Sequence, residues 1–596
     1  MRNLPWRWPI DSSGRSRRAA ELASALGVPD AIGEALASRK QDTFDPQALA
    51  QRSLGDCTAA IGEPGNTDEA AAKLLDAARA GRVGILCDFD VDGATAQAIL
   101  VETLRLASGP NGQEPAVAVP ERNGEGFGPN ERCLESLAKA GVTCIAVLDC
   151  GTAAGGLLDG FHQATGIDVV VIDHHPAHGA QAPTAGVLLN PWATSPTAPG
   201  EHGTLCTAAL TWFVARSVLR QAGLSKAETK AVRQRITLYA ALGTSCDLMP
   251  LDMPFNRSLI RHGVRLLCDA GSRSNGLAEI CEIARIGSTC SADDFGWRIG
   301  PRLNAGSRMG ESDLAARCLR ESDGQAARDF ARRLDQHNQD RKALGQKARE
   351  ELAAHADSEA FDRGPVNVFI ASSATPGTVG LVASELVKLA GWPAIALTQR
   401  DNGALAGSGR SALEFNIGAA VVAAVRSGIA RRGGGHASAC GVEIDSQRLE
   451  DLRDFLAERF KEHAANTAIP CEPSRVIDAV LRPHHLVADA LLELAQAQQR
   501  LEPWGPGLEF PQFGVRECSL ARHKLTANGH LFATLECAGS RFEAVWWSAP
   551  DDWQDRLAAN APGEGRAEVV GAVEIDSWNG RYNGRLAIAD ARVPQG

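Results

Sequence analysis

Between about residues 60 and 250 the apolar positions alternate between two periods. Helical stripes recur near Glu69 to Ala80, Thr95 to Leu106 and Glu131 to Ala140, and short unbroken apolar runs between them end at Asp90, Pro120, Asp149 and Asp173. That alternation predicts a parallel sheet covered on both faces. From Thr204 to Leu242 the pattern turns mainly helical and delivers GTSCDLMPL, with Asp247 at the helix end. Gln325 to Asp357 reads as one long helix whose apolar stripe is interrupted among many charges, the pattern of a helix that bridges two bodies. A second α/β pattern begins at Pro365, with VNVFIASS, a helix around Val382 to Leu389 and the strand-like PAIALT. A helix from His485 to Arg500 and a Pro/Gly break follow. Short alternating runs from Phe513 to Val593 then predict a small antiparallel barrel of the OB type. The first residues, with Trp6, Trp8 and a helical pattern broken at Pro29, read as an ordered N-terminal extension. The expected fold class is therefore α/β: a parallel-sheet domain and a second, smaller α/β domain joined by a long helix, plus a C-terminal OB-like β-barrel. The expected boundaries are 1–59, 60–324, 325–360, 361–465, 466–509 and 510–596.

Composition changes this picture little. A chain of 596 residues, 44% hydrophobic and 22% charged, describes an ordinary globular protein with several cores. The net charge of −11 excludes a uniformly basic nucleic-acid coat, but not a nuclease, because the field that matters is that of the cleft. No apolar run resembles a signal peptide or a membrane span. The 15 cysteines form no CxxC pair, so a reducing cytoplasm is the expected compartment.

The chemistry gathers at strand ends. RVGILCDFDVDGATA closes an apolar run on Asp88, Asp90 and Asp92, which share one face if the strand continues through them. Like charges that close repel, and a divalent cation is the usual relief. TCIAVLDCG closes on Asp149, and DVVVIDHHP on Asp173, His174 and His175. In an open parallel sheet, loops after separate strands converge beyond the carboxyl ends. Carboxylates with imidazole and no thiolate favour Mn²⁺ or Mg²⁺. The bland alternative is an exposed acidic turn after a buried strand.

CDFDVDG, LDCG, IDHHP and GTSCDLMPL resemble, in order and spacing, the four motifs of the DHH phosphoesterase superfamily. Within it, GPRLNAGSRMG at 300–310, GSGRS at 407–411 and GGGHASACG at 433–441 look like the RecJ single-stranded-DNA exonucleases. The resemblance implies a site for two ions of Mn²⁺ or Mg²⁺, with Asp88, Asp90, Asp92, Asp149, His174 and Asp247 as ligands and Asp149 as the bridge. It implies that His175 faces the scissile phosphate and that Asp173 orients the histidines. Arg302, Asn304, Ser307 and Arg308 would clamp the strand backbone, their glycines admitting it closely. Arg410, Ser411, Gly435 and His436 would form an anion pocket across the cleft.

The chain departs from the family pattern in two places. Cys150 stands where the family has Asn, and Ala374, Thr375 and Glu385 stand where a Trp-His pair and an arginine are usual. His484 and His485, a second HH pair, show no acidic partner in sequence and read as structural. In the last segment, Phe542, Trp546, Trp547, Trp553, Trp578 and Tyr582 suit either base stacking or a barrel core, and nine Lys and Arg against eleven Asp and Glu from Phe510 onward offer no electrostatic funnel. The expected activity is exonucleolytic hydrolysis of single-stranded DNA from the 5′ end. Single-stranded DNA, a single-stranded-DNA-binding protein and a helicase are the partners the resemblance implies, and no membrane is among them. A phosphodiesterase for short or cyclic oligonucleotides and a silent nucleic-acid-binding scaffold remain alternatives.

Overall fold

The computed structural model describes residues 4–9, 13–39, 49, 52–110, 112–122, 125–177, 179, 181–195, 199–355, 365–372, 374–400, 403–435, 437–467, 473–558, 566–578 and 581–594. The chain divides into two compact units, one of residues 54–249 and 258–473, the other of residues 4–53, 250–257 and 474–596.

The first unit opens with five strands, β1 (Val83–Cys87), β2 (Ala116–Ala118), β3 (Cys144–Leu148), β4 (Asp168–Ile172) and β5 (Val187–Leu189). They form an all-parallel sheet in the order β2-β1-β3-β4-β5. Every residue of β1 and β3 is buried, which is why these strands read as unbroken apolar runs. The register sets the site. Cys87 lies opposite Leu148, and Leu148 opposite Ile172, so the next residues, Asp88, Asp149 and Asp173, stand side by side. Each is anchored by its own amide, to Leu148 O at 3.2 Å, Ile172 O at 3.1 Å and Leu189 O at 3.1 Å respectively.

The aspartates of the first motif converge differently from the sequence expectation. β1 stops at Cys87 and the helix Val91–Ala107 starts at once, so no pleated face carries all three. Asp90 is that helix's N-cap, its Oδ1 accepting from Gly93 N at 3.1 Å, and Asp92 lies in the first turn. The strand-to-helix turn does the gathering, because a helix start both needs an acidic cap and turns its first side chains back toward the strand end. A Cβ on Gly93 would overlap the backbone carbonyl of Asp88. Glycine is what lets the turn close. The helix Lys226–Cys246 ends on Asp247, and its Gly243 leaves the space that the Asp92 carboxylate and Ala208 occupy.

The long helix is continuous from Gly324 to His355. At ~1.5 Å per residue it spans on the order of 50 Å. Its interrupted stripe now has a reason: Leu334 packs on Gly306 of the first domain, while Ala348 and Leu352 enter the core of the second. That second domain holds β6 (Asn367–Ile370), β7 (Ala394–Gln399), β8 (Ala404–Arg410), β9 (Arg432–Gly435) and β10 (Ala439–Asp445), in the order β9-β10-β8-β7-β6. Only β6 and β7 pair in parallel.

In the second unit, β11 (Phe513–Leu525), β12 (Leu531–Cys537), β13 (Ser540–Trp546), β14 (Ala567–Trp578) and β15 (Arg581–Arg592) make a barrel that closes where β14 returns to β11. The expectation of a purely antiparallel barrel is corrected at one seam, because β13 and β15 pair in parallel. The N-terminal segment is part of this unit rather than an appendage. Trp6–Arg7 pairs with Arg475–Val476, Trp6 Nε1 donates to Asp590 Oδ2 at 3.1 Å, and Leu22, Ile32 and Leu36 share one core with the barrel. Trp546 and Trp553 are buried in that core, whereas Trp547 is 46% and Tyr582 63% exposed. Trp547 stands beside His530 and Phe532 with the Arg585 guanidinium 5.3 Å above its ring, an aromatic patch on the barrel face whose one guanidinium is ion-paired to Glu574 and Asp576. The second HH pair does have an acidic partner, contrary to expectation: Asp30, distant in sequence, lies 2.7 Å from His485 Nε2, while His485 Nδ1 accepts from Arg482 N. Both ring nitrogens are thus used within the fold, and the structural role stands. Among the described residues no helix is long and apolar enough to cross a membrane.

The turn geometry yields a direct expectation. Gly93→Ala must push the Asp88 backbone aside, so Mn²⁺ affinity should fall by about 10–100-fold, the scale for disturbing the support of a metal ligand, with the secondary structure unchanged. Calorimetric titration of Mn²⁺ measures it, and wild-type affinity would show that the turn tolerates the methyl.

Candidate metal centre

The loops after β1, β3 and β4 and the end of the helix Lys226–Cys246 bring six expected ligands together. Three sets have ligating atoms within 4.8 Å of one another: Asp88, Asp90 and Asp149; Asp92, His174 and Asp247; Asp149, His174 and His175. Asp149 belongs to two of them. His174 Nε2 lies 3.4 Å from Asp247 Oδ2, 3.6 Å from Asp149 Oδ1 and 4.0 Å from Asp92 Oδ2. Asp149 adopts φ 62°, a left-handed conformation for which Asp is among the more tolerant side chains.

Each carboxylate is held from behind. Asp92 accepts from Thr207 N at 2.7 Å and Ala208 N at 2.9 Å, the first amides of the helix Thr207–Gln221, whose positive end faces it. Thr207 Oγ1 donates to Asp149 Oδ1 at 3.1 Å. Asp173 accepts from Thr152 N at 2.9 Å and from His175 N at 3.1 Å, and its Oδ1 lies 2.6 Å from His175 Nδ1. Asn190, fully buried, donates to Thr152 Oγ1 and His175 O and so ties the two loops together. Asp173 thus fixes the ring of His175, whose Nε2 points away from it.

Burial and mutual repulsion dominate the titration. Burial, with Asp90 adding to it, pushes Asp88 up to about 8, and the same pair of causes takes Asp92 up to about 6. Burial and the neighbouring aspartates raise Asp149 and Asp247 well above the carboxylate range. Burial alone would also raise Asp173, but the His175 charge and hydrogen bond hold it low. Burial alone would depress His175, yet Asp173 pushes it up to about 9. Asp88 Oδ1 and Asp247 Oδ2 are buried with no hydrogen-bond partner among the described residues. Orphaned oxygens beside an imidazole, with no thiolate among the ligand atoms, are what a hard divalent cation requires.

The other wall of the cleft is cationic. Arg122, Arg341 and Arg410 lie close enough to Arg308 to act on its charge, and burial together with these neighbours pushes Arg308 well below its ordinary value. Among the described residues none of the four forms an ion pair with a carboxylate; Arg308 donates to Gly377 O at 3.3 Å, and Arg341 to Asn338 Oδ1 at 3.0 Å. A Cβ on Gly380 would crowd Arg410 Nη2, so the glycines of GTVG admit both arginines. Arg122 was not singled out from sequence. It follows β2 in PERNGEGFG, stands 4.9 Å over the Phe89 ring, and has Asp88 and Asp90 as nearby charges. Phe127 of the same loop is 73% exposed and packs on Phe89. A glycine-punctuated loop on the carboxyl side of a parallel strand was the signal available for both.

The glycines of GPRLNAGSR, expected to admit a strand backbone, have another role here. The segment is the helix Gly300–Arg308, in which Gly300 makes room for Cys246 and Gly306 for Leu314 and Leu334, so these glycines serve helix packing. Arg302 ion-pairs with Asp335 of the long helix at 2.9 Å, and the buried Ser307 donates to Asn304 O, which leaves Arg308 as the residue of the segment that reaches the cationic wall. Ser411 donates to Phe415 O, and Gly435 closes the β9 end with φ 148°. His436 lies outside the described residues. Glu385 lies 3.1 Å from Lys388 and 3.6 Å from Arg349.

Comparison with known proteins agrees with this geometry. The DHH family, N-terminal domain, matches residues 82–244, the DHHA1 domain 365–462 and the RecJ OB domain 477–590. The single-stranded-DNA-specific exonuclease RecJ of Bacillus subtilis is 27% identical over 99% of this chain and 71% of its own length. The protein of that name from Thermus thermophilus is 28% identical over 88% of this chain and 71% of its own. The crystal structure of RecJ from Thermus thermophilus in complex with Mn²⁺ superposes with a TM-score of 0.75 at 25% identity, covering 100% of this chain and 81% of that one. With its motifs in place on the matching fold and all three domains present, the chain belongs to the DHH family, in the RecJ-type branch.

Proposed function

We propose that the protein is a metal-dependent exonuclease that hydrolyses phosphodiester bonds of single-stranded DNA from the 5′ end and serves DNA repair. The observation that carries this reading is the position of Asp149 between two ligand groups: it is grouped with Asp88 and Asp90, and its Oδ1 lies 3.6 Å from Nε2 of His174, which is grouped with Asp92 and Asp247, with buried, unpartnered oxygens on either side. Asp88, Asp90 and Asp149 would hold one divalent ion and Asp92, His174, Asp247 and the same Asp149 the other. When bound, Mn²⁺ or Mg²⁺ supplies activation of water and charge stabilisation at the leaving oxygen. His175, kept protonated by Asp173, donates to a phosphoryl oxygen. Arg308 and Arg410, joined by Arg122, hold the phosphate next to the scissile bond, and among the described residues none of the three is ion-paired to a carboxylate.

A polymer substrate fits the spread of these groups. Arg410 of the second domain stands near Arg308 and Arg122 of the first, a continuous helix on the order of 50 Å long joins the two domains, and the barrel offers Trp547 and Tyr582 for unpaired bases. A single-stranded-DNA-binding protein and a helicase, which would deliver such a strand, are the partners this reading calls for.

Three outcomes are expected. Asp149→Asn, which tolerates the left-handed backbone, should lower kcat by on the order of 10³-fold, several kcal/mol of transition-state stabilisation, while oligonucleotides labelled at the 5′ end lose label before those labelled at the 3′ end in the wild type. Rates that peak at two to four nucleotides and fall for longer strands would instead make this a small-nucleotide phosphodiesterase. Arg308→Ala and Arg410→Ala should each reduce the salt dependence of strand binding by about 0.7 in log–log slope, with Mn²⁺ content unchanged; an unaltered slope in both would remove them from the phosphate path.

The third concerns pH. In metal-free protein Asp88 keeps its proton to about pH 8 and Asp92 to about pH 6, so Mn²⁺ must displace protons at pH 7 and bind more tightly as pH rises. The sign for stability is the same. Groups that hold extra protons in the fold make the metal-free protein less stable as pH rises from the unfolded carboxylate value near ~4 to about 8, and His175, raised to about 9, adds in that direction. Stabilisation by Mn²⁺ should therefore grow between pH 6 and 8. Binding heats in buffers of different ionisation enthalpy measure the protons released, and heats independent of buffer would contradict the assignment.

A further inference from the structure

About 20 Å along the helix Val91–Ala107 from the aspartates, at ~1.5 Å per residue, lies a second polar cavity. It has a volume of about 280 Å³ and is lined by Arg105, Glu114, Arg317, Arg320, Glu321 and Phe330. Both acids are spoken for. Glu114 makes a two-pronged pair with Arg105, at 2.9 and 2.6 Å, and Glu321 Oε1 accepts from the amides of Ser322 and Asp323 at 2.8 and 2.9 Å. The two remaining guanidinium groups are held more loosely. Arg317 lies 4.6 Å over the Phe330 ring, and its one acidic contact among the described residues is a long, solvent-exposed ion pair with Asp313 at 3.7 Å, which an anion can displace. Arg320 is half-buried, and its guanidinium has no hydrogen bond or ion pair among the described residues, while its carbonyl oxygen is taken by Arg105 at 3.1 Å. Burial pushes Arg320 below its ordinary value, and the carboxylates of Glu114 and Asp313 do not offset this. A half-buried guanidinium that no carboxylate touches directly leaves its N–H donors for an anion to complete.

We propose that this cavity binds a phosphate monoester with a polar body, a mononucleotide, with the phosphate between Arg317 and Arg320. Two guanidinium groups match a dianionic phosphate, whose oxygens accept paired N–H donors. The volume has room for on the order of nine waters at ~30 Å³ each, more than a bare phosphate fills. The outer oxygen of Glu321 remains to accept from a sugar hydroxyl or an amino group. The site rests on its own residues; only the supply of its ligand as a reaction product rests on the proposed hydrolysis.

The test is equilibrium dialysis of labelled thymidine 5′-monophosphate against the full-length, Mn²⁺-loaded protein. Two sites per chain are expected for the wild type, one at the metal centre and one here. Arg320→Gln and Arg317→Gln should each weaken the second by at least tenfold, about 1.4 kcal/mol, with hydrolysis unchanged; if Arg320→Gln lowers Tm, the more exposed Arg317→Gln decides. Should the exonuclease reading fail, one site in the wild type and none in the variants still supports the cavity. Equal stoichiometry and affinity in wild type and both variants overturns it. Thymidine should not compete, and inorganic phosphate should compete at least tenfold more weakly. Phosphate competing equally well, or a long single strand displacing the nucleotide more effectively than the nucleotide itself, would overturn the mononucleotide assignment.

Discussion

Six carboxylates and two imidazoles gathered in one pocket are the constraint on which the rest of the first unit depends. Left alone the carboxylates repel, and the fold tolerates them only by clamping them from behind. Register-aligned strands hold Asp88, Asp149 and Asp173 in a row, a helix start holds Asp92, and Asp173 is neutralised by His175. What these clamps leave is a set of carboxylates around His174, with Asp88 Oδ1 and Asp247 Oδ2 buried and without a hydrogen-bond partner among the described residues. Without cations the carboxyls relieve that repulsion by holding protons, so metal binding and proton release are one event.

Opposite this acidic pole stands a cationic one, and the two explain how a chain of net charge −11 can handle a polyanion. Four arginines gather where the helix Gly300–Arg308, the long helix, the loop after β2 and the end of β8 meet. Among the described residues no carboxylate forms an ion pair with them, although Asp88 and Asp90 act on Arg122 from nearby, and a phosphate backbone lying between the poles satisfies both. The field that selects the substrate is local, and whole-chain charge says nothing about it.

Sequence made the strand ends legible because an apolar run that stops on a carboxylate leaves few other structures open, and the long helix because its stripe breaks where it changes cores. It was less informative where local pattern and tertiary context disagree. Asp88, Asp90 and Asp92 have strand spacing, yet the need of the helix Val91–Ala107 for a cap won over the pleat. GPRLNAGSR has the composition of a loop, but its glycines sit where neighbouring helices touch, a cause that lies outside the segment. The partnership of Trp6 with Asp590 and of Asp30 with His485 spans most of the chain, and no local signal encodes it. Arg122 and Phe127 were hidden in a loop whose importance comes only from which strand it follows.

The central claim is that Asp149 bridges two divalent ions, and the most direct measurement is the electron paramagnetic resonance of the protein titrated with Mn²⁺. Two ions sharing a carboxylate at ~3.5–4 Å predict that the second equivalent converts the spectrum to that of a spin-coupled pair, and that Asp149→Asn returns it to isolated ions. A single equivalent at saturation, or two ions without coupling in the wild type, would contradict the account.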